Sequence, residues 1–254
     1  MSTKKFDFKN TPTLQHAVYL IGPTVEDTAE NIRRLRRSTP PYRLDVARQL
    51  IARVFQLRAD DRPEVQRDAV DWAKRQAETI PDPALRKATK EILACVETYL
   101  DSVTVRWFRP VATFPYPIGR GLAIPVNPLG MISDGEKIRL LWAQMWRTRT
   151  LNPDQFNIHG AVLERAVFAI ETDITELEWM EMSIPAGAKE RELRLRGRDA
   201  YALMDDANLA AALDRLATAV QIVNSEAVEP SRRKGGKRDP KNGDLFRGDD
   251  TEND

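Results

Sequence analysis

The sequence predicts a mostly α protein with a minor β component, an α+β chain. Three observations carry this: four consecutive segments with helical apolar spacing before residue 101, a β-branched and proline-rich stretch at 102–132, and a helix-and-hairpin pattern from 133 to 224. The expected organisation is an extended arm at 1–23, a helical bundle at 24–101, a strand and Pro/Gly-rich strap at 102–132, a helix-and-hairpin block at 133–224, and a disordered charged tail at 225–254.

In the arm, HAVYLIG at 16–22 reads as a short strand closed by Gly22-Pro23. Thr24 is an N-cap candidate with Asp27 three residues on, and Val25, Ala29 and Ile32 give the following helix a narrow apolar stripe. Three further helices each open beside a proline, where a missing N–H costs nothing because first-turn donors have no intrahelical partner. The first, about Pro41 to Arg58, segregates Leu44, Ala47, Leu50, Ile51 and Val54 from Arg48, Gln49, Arg53 and Gln56. The second, Asp61 to Thr79, spaces Val65, Ala69, Trp72 and Ala73 along one side, and the third, from Asp82 to about Asp101, does the same with Leu85, Ala88, Ile92, Cys95, Val96 and Tyr99. Short links between them suggest antiparallel rods in a bundle.

The pattern changes at Ser102. Val103, Val105 and Trp107 alternate with Thr104 and Arg106 in a predicted strand. Five prolines between 110 and 128 then exclude a helix or a central strand and predict an extended strap. Gly119-Arg120-Gly121 within it lacks the third glycine and following helix of a dinucleotide loop, and the Gly-Lys-Ser/Thr of a Walker loop, so the glycines are assigned to turns and Arg120 is a candidate loop contact.

Ser133 and Glu136 have capping-box spacing, and Ile138, Leu141, Trp142 and Met145 recur as a helix face, so a helix is expected from 133. Another is expected over 155–171 through Phe156, Val162, Leu163, Val167 and Phe168, with Gly160 interrupting. Met180, Met182 and Ile184 alternate with Trp179, Glu181 and Ser183, and Leu193 and Leu195 with Arg194 and Arg196, which reads as a hairpin, although 188–204 is also rich in helix formers. A last helix spans 205–223.

Composition narrows the function classes. With 39 basic and 38 acidic residues the net charge is +1, so no global field draws the chain to nucleic acid or an anionic membrane, and any electrostatic partner needs a local patch. No apolar run approaches roughly 18 residues, so no membrane partner is expected. One cysteine, Cys95, suits a reducing, cytoplasmic setting and falls on an apolar helix stripe, where an inert thiol is expected.

No motif for a cofactor, a zinc site or a serine nucleophile is present, and no cofactor is expected. His16 and His159 stand alone; His159 is expected to be a cap or a packed side chain rather than a base. Glu171, Asp173, Glu176, Glu178 and Glu181 read as a solvated charged face rather than a metal-binding set.

Two basic clusters remain: Arg33, Arg34, Arg36 and Arg37 with Arg48 and Arg53, and Lys189, Arg191, Arg194, Arg196 and Arg198. Helix, short element, helix and hairpin over 133–198 is the order of a winged helix whose wing would place the second cluster on phosphates. The tail holds RRKGGKR and Leu245-Phe246, which resembles a short docking anchor in general type, although a solubilising role is the expected one. The resulting expectation is a non-enzymatic nucleic-acid-binding protein or a subunit of a nucleic-acid-handling complex. The rivals are a helical protein–protein adaptor, self-associating or bound to a protein partner, and a metal-dependent nuclease or other enzyme.

Overall fold

The computed structural model describes residues 13–37, 44–148 and 150–226, so most of the arm, the start of the third helix and the charged tail lie outside the described residues. The chain opens with α1 (Leu14–Leu20), α2 (Val25–Arg37), α3 (Asp45–Arg58), α4 (Pro63–Glu78) and α5 (Pro83–Leu100). It continues as β1 (Trp107–Arg109), β2 (Phe114–Gly119), β3 (Leu122–Val126), β4 (Gly130–Ser133) and β5 (Ile138–Gln144). Then come α6 (Pro153–Leu163) with a π-helical turn at Glu164–Phe168, β6 (Ile174–Ser183), β7 (Glu192–Arg196) and α7 (Asp206–Glu226).

The organising element is a five-stranded mixed sheet in the order β1-β4-β5-β6-β7. All neighbours are antiparallel except β5 and β6, which run parallel and are joined by α6. The sheet separates two apolar cores. On β5, Leu140 and Trp142 face α1, α2, α6 and α7, while Leu141 and Ala143 face α3, α4 and α5. On β6, Leu177 and Trp179 belong to the first core and Met180 and Met182 to the second.

This arrangement overturns the expected architecture in four places. Residues 24–101 are not one bundle: α3, α4 and α5 pack on one face of the sheet, whereas α2 packs on α7 on the other. Within HAVYLIG, residues 16–20 belong to a helix that ends at Leu20, and no strand forms. The helix expected from Ser133 is instead β4, a turn and β5. Asp134 Oδ1 accepts the N–H groups of Glu136 and Lys137, both at 2.9 Å, and Ser133 Oγ accepts that of Gly135, so the apparent capping box closes a hairpin. β5 is buried on both faces, and the near-continuous apolar run that results also satisfies helical spacing.

The winged-helix reading falls with it. α6 is the crossover between parallel strands, and Phe156 and Ile158 through Leu163 are buried, so its body cannot enter a groove. β6 and β7 do pair antiparallel, with Met180 opposite Leu195 and Met182 opposite Leu193, but as part of the main sheet rather than a free wing.

The proline-rich strap is a two-stranded hairpin, β2 with β3. Pro115 lies directly opposite Pro125, and Pro117 opposite Ala123. Prolines at alternate positions occupy the sites whose N–H would point away from the partner strand, so the ladder loses no donor. The intervening Phe114, Tyr116 and Ile118 turn inward, and β2 packs on α7. Arg120 (φ 53°) and Gly121 (φ 71°) form the two-residue turn between Gly119 and Leu122, both in the left-handed region that such hairpins require.

Candidate functional site

The basic residues picked from the sequence are for the most part engaged within the chain. Arg33 holds Glu226 at 2.6 Å and reaches Glu30, tying α2 to α7. Arg48 donates to the carbonyls of Asn127 (2.7 Å) and Pro128 (2.5 Å), and burial lowers its basicity. Arg120, on the hairpin tip, donates to Asp214 at 2.8 Å and to Gln221 on α7. Arg191 is inside the protein: its side chain is 3% exposed, Nη1 donates to the carbonyls of Met145, Trp146 and Met182, and Glu91 lies 3.4 Å from Nε. Arg196 pairs with Glu181 at 2.9 Å and covers the Phe156 ring; Arg198 pairs with Glu164 and covers Phe168.

Four are exposed and tied to no other element among the described residues: Arg34, beside Glu30; Arg53, beside Gln56; Lys189; and Arg194. Arg37 closes α2. The first cluster is itself divided, since α2 and α3 lie on opposite faces of the sheet.

A concentration of polar side chains that the sequence did not suggest lies under the carboxyl ends of the parallel pair. Gln15, Gln144, His159, Glu181 and Ser183 are all buried there. Gln144 stands opposite Glu181 in the parallel register, Ser183 Oγ donates to Glu181 Oε1 at 3.1 Å, and Trp142 Nε1 donates to Gln15 Oε1 at 3.2 Å. α1 closes this end: Trp146 Nε1 donates to His16 Nε2 at 3.1 Å, and Gln155, the reciprocal partner in the Asn152 capping box, donates to the Tyr19 carbonyl. The carboxyl ends of parallel strands are where open α/β sheets commonly bind ligands. Here helix and aromatic rings fill the position.

His159 is packed, as its isolation in sequence suggested. It is fully buried, neither ring nitrogen has a hydrogen-bond partner among the described residues, and desolvation pushes its pKa down to about 3. A neutral imidazole with no carboxylate to orient it and no route to solvent does not act as a general base. Nor does the acidic run behave as one wet face. Glu181 is buried on the α6 side, while Glu176 and Glu178 surround Arg139 together with Asp134 on the other. Among the described residues, no three His, Cys, Asp or Glu side chains converge as a metal site. Cys95 is buried and its thiol is pushed toward the protonated form by burial.

The sheet itself has open ends. β7 pairs with β6 alone among the described strands, and it carries exposed Glu192 and Arg194 on one face and Leu195, 45% exposed, on the other. Trp107 is half-exposed on β1 at the opposite edge. No helix among the described residues is long and apolar enough to cross a membrane. No protein-family model matches the chain, and no curated protein or solved structure matches it.

Proposed function

We propose that the chain is a non-catalytic docking subunit that recognises protein through its open sheet edge, working in a reducing compartment where Cys95 stays a thiol. The observation that carries this reading is β7. It is an edge strand of five residues that pairs with β6 alone among the described strands, with an exposed Leu195, and with Glu192 and Arg194 lacking ion-pair partners among the described residues. Such an edge recognises an extended segment by backbone hydrogen bonds, with alternate side chains supplying specificity. Internal engagement of Arg33, Arg48, Arg120, Arg191, Arg196 and Arg198 weighs against a phosphate-binding surface, which needs free cations on one face.

The test is selection of extended peptides from a displayed random library against the full chain, followed by binding of the enriched peptides to the wild type and to Leu195→Glu. Peptides alternating apolar and charged residues, with affinity lost in the variant, support the docking reading; enrichment indifferent to Leu195→Glu sinks it.

A second reading, nucleic-acid binding, rests on the exposure of Arg34, Arg53, Lys189 and Arg194. It requires salt-sensitive binding to labelled DNA or RNA that weakens when these four are changed together to Ala.

A further inference from the structure

We propose that β7 is a self-recognition strand, pairing antiparallel with β7 of a second copy about a twofold axis at Arg194. The proposal rests on the docking reading above and names the partner.

β7 reads Glu192-Leu193-Arg194-Leu195-Arg196 and is complementary to itself about its midpoint. In that register Glu192 stands opposite Arg196 of the second copy, twice by symmetry, and Leu193 stands opposite Leu195 of the second copy, also twice. The two classes of pair fall on different faces. Leu193 packs against the α3–α5 core and Leu195 lies beside it on that face, so the leucines meet leucines where apolar surface is already present. The charged residues share the other face, where Arg196 spends one Nη2 donor on Glu181 and keeps further N–H groups for an incoming carboxylate.

The extent of the strand selects the register. A slip of two residues in one direction sets Arg194 against Arg196 of the second copy and Glu192 against Arg198, which lies beyond β7 and already pairs with Glu164. A slip in the other direction sets Glu192 against Arg194, but it brings Leu195 opposite Arg191, which is committed to three carbonyls, and puts Arg196 opposite Glu190, outside the strand. The midpoint register uses all five residues and costs one Arg194–Arg194 contact, eased by Glu192 of the second copy on the diagonal. The outcome is one sheet continuous through both copies, with no open edge at β7.

The full chain is tested by sedimentation velocity from roughly 1 to 300 µM, a range suited to a small strand-to-strand interface. Single-cysteine variants, crosslinked with a short bismaleimide, read the register; Cys95 is buried, and the wild type controls for it. Expected are a shift from one-chain to two-chain mass with concentration, its loss in Leu195→Arg at unchanged melting temperature, crosslinking of Arg194→Cys to itself, and crosslinking of Leu193→Cys with Leu195→Cys that is faster in the mixture than for either variant alone. A one-chain mass throughout, or dimers whose crosslinks ignore this register, overturns self-pairing. If such a monomer still holds a selected strand peptide at β7, the docking reading survives alone; if it holds none, both fall.

Discussion

Trp142 and Trp179 stand directly opposite each other on the parallel strands β5 and β6, their rings stacked 5.8 Å apart, and the His159 imidazole sits edge-on to both at 4.4 and 4.5 Å. The imidazole therefore serves as a packing block rather than a titrating group. Replacing a buried polar group that has no partner by an apolar one of similar shape is nearly neutral or stabilising, so His159→Leu is expected to keep or raise the urea midpoint at pH 7.

The pH dependence has a definite sign. The folded pKa of about 3 is below the unfolded value near 6.5, so below pH 6.5 the unfolded chain takes up a proton that the folded chain refuses. Stability is then lost as pH falls toward 3. His159→Leu removes this loss, and the variant should gain on the wild type by up to about 1.4 kcal/mol per pH unit below pH 6.5, or roughly 2 kcal/mol between pH 6.5 and 4.5. Urea unfolding of both proteins at pH 7, 5.5 and 4.5 measures it; parallel curves would refute the assignment.

Gly160, next in sequence, is set by close approach. A Cβ there would lie 2.4 Å from the Tyr201 ring, whose hydroxyl is anchored on Glu164 at 2.6 Å and cannot retreat freely. Gly160→Ala is therefore expected to destabilise by roughly 1–3 kcal/mol despite the better helix propensity of alanine. Thermal unfolding checks this, and an increase in melting temperature would show that Tyr201 yields.

Arg191 and Arg194 are three residues apart and should behave oppositely. Arg191→Ala leaves three part-buried carbonyls and Glu91 short of a donor and is expected to cost roughly 2–4 kcal/mol, while Arg194→Ala, at an exposed position, should stay within about 0.5 kcal/mol. Denaturant titration of the two single variants separates them. Any nucleic-acid assay that removes Arg191 would report unfolding rather than lost phosphate contact.

These contrasts mark what the sequence makes legible. α3, α4 and α5 follow from apolar spacing because each exposes one face and buries the other, and the antiparallel pairing of β6 with β7 follows from alternation with Leu193 and Leu195. β5 was hidden because burial on both faces erases alternation and lets Ile138, Leu141 and Trp142 imitate a helix stripe. α1 is seven residues long, and its ties to Trp142, Trp146 and Gln155 are long-range, so local pattern says little about it. The polar cluster at the carboxyl ends joins residues from α1, β5, α6 and β6, and no spacing rule links Gln15 to Glu181. Whether an arginine is free or engaged is likewise a tertiary property: Arg191 and Arg194 look alike in sequence.

Arg139 offers a further test, because it holds three carboxylates from two elements. Its Nη2 lies 2.7 Å from Asp134, and its Nε 3.1 Å from Glu176 and 3.8 Å from Glu178, with the side chain 16% exposed. Loss of one partner from such a set leaves uncompensated buried charge, so Arg139→Met, which keeps much of the aliphatic stem, is expected to cost roughly 3 kcal/mol at pH 7. Asp134 retains two backbone N–H bonds and Glu176 retains Lys137, so the burden falls on Glu178, whose pKa burial already raises and Arg139 counteracts. Without Arg139 that pKa rises further. A carboxyl with a raised folded pKa loses stability as pH climbs from its unfolded value near 4.3 through the folded one, so the deficit of Arg139→Met should be largest at neutral pH and shrink toward pH 4.5. Adding Glu178→Gln removes the unpaired charge and should restore much of the loss at pH 7. Urea unfolding of the single and double variants at pH 7 and 4.5 decides it: a deficit independent of pH, or unrelieved by Glu178→Gln, would mean that Arg139 acts through packing alone.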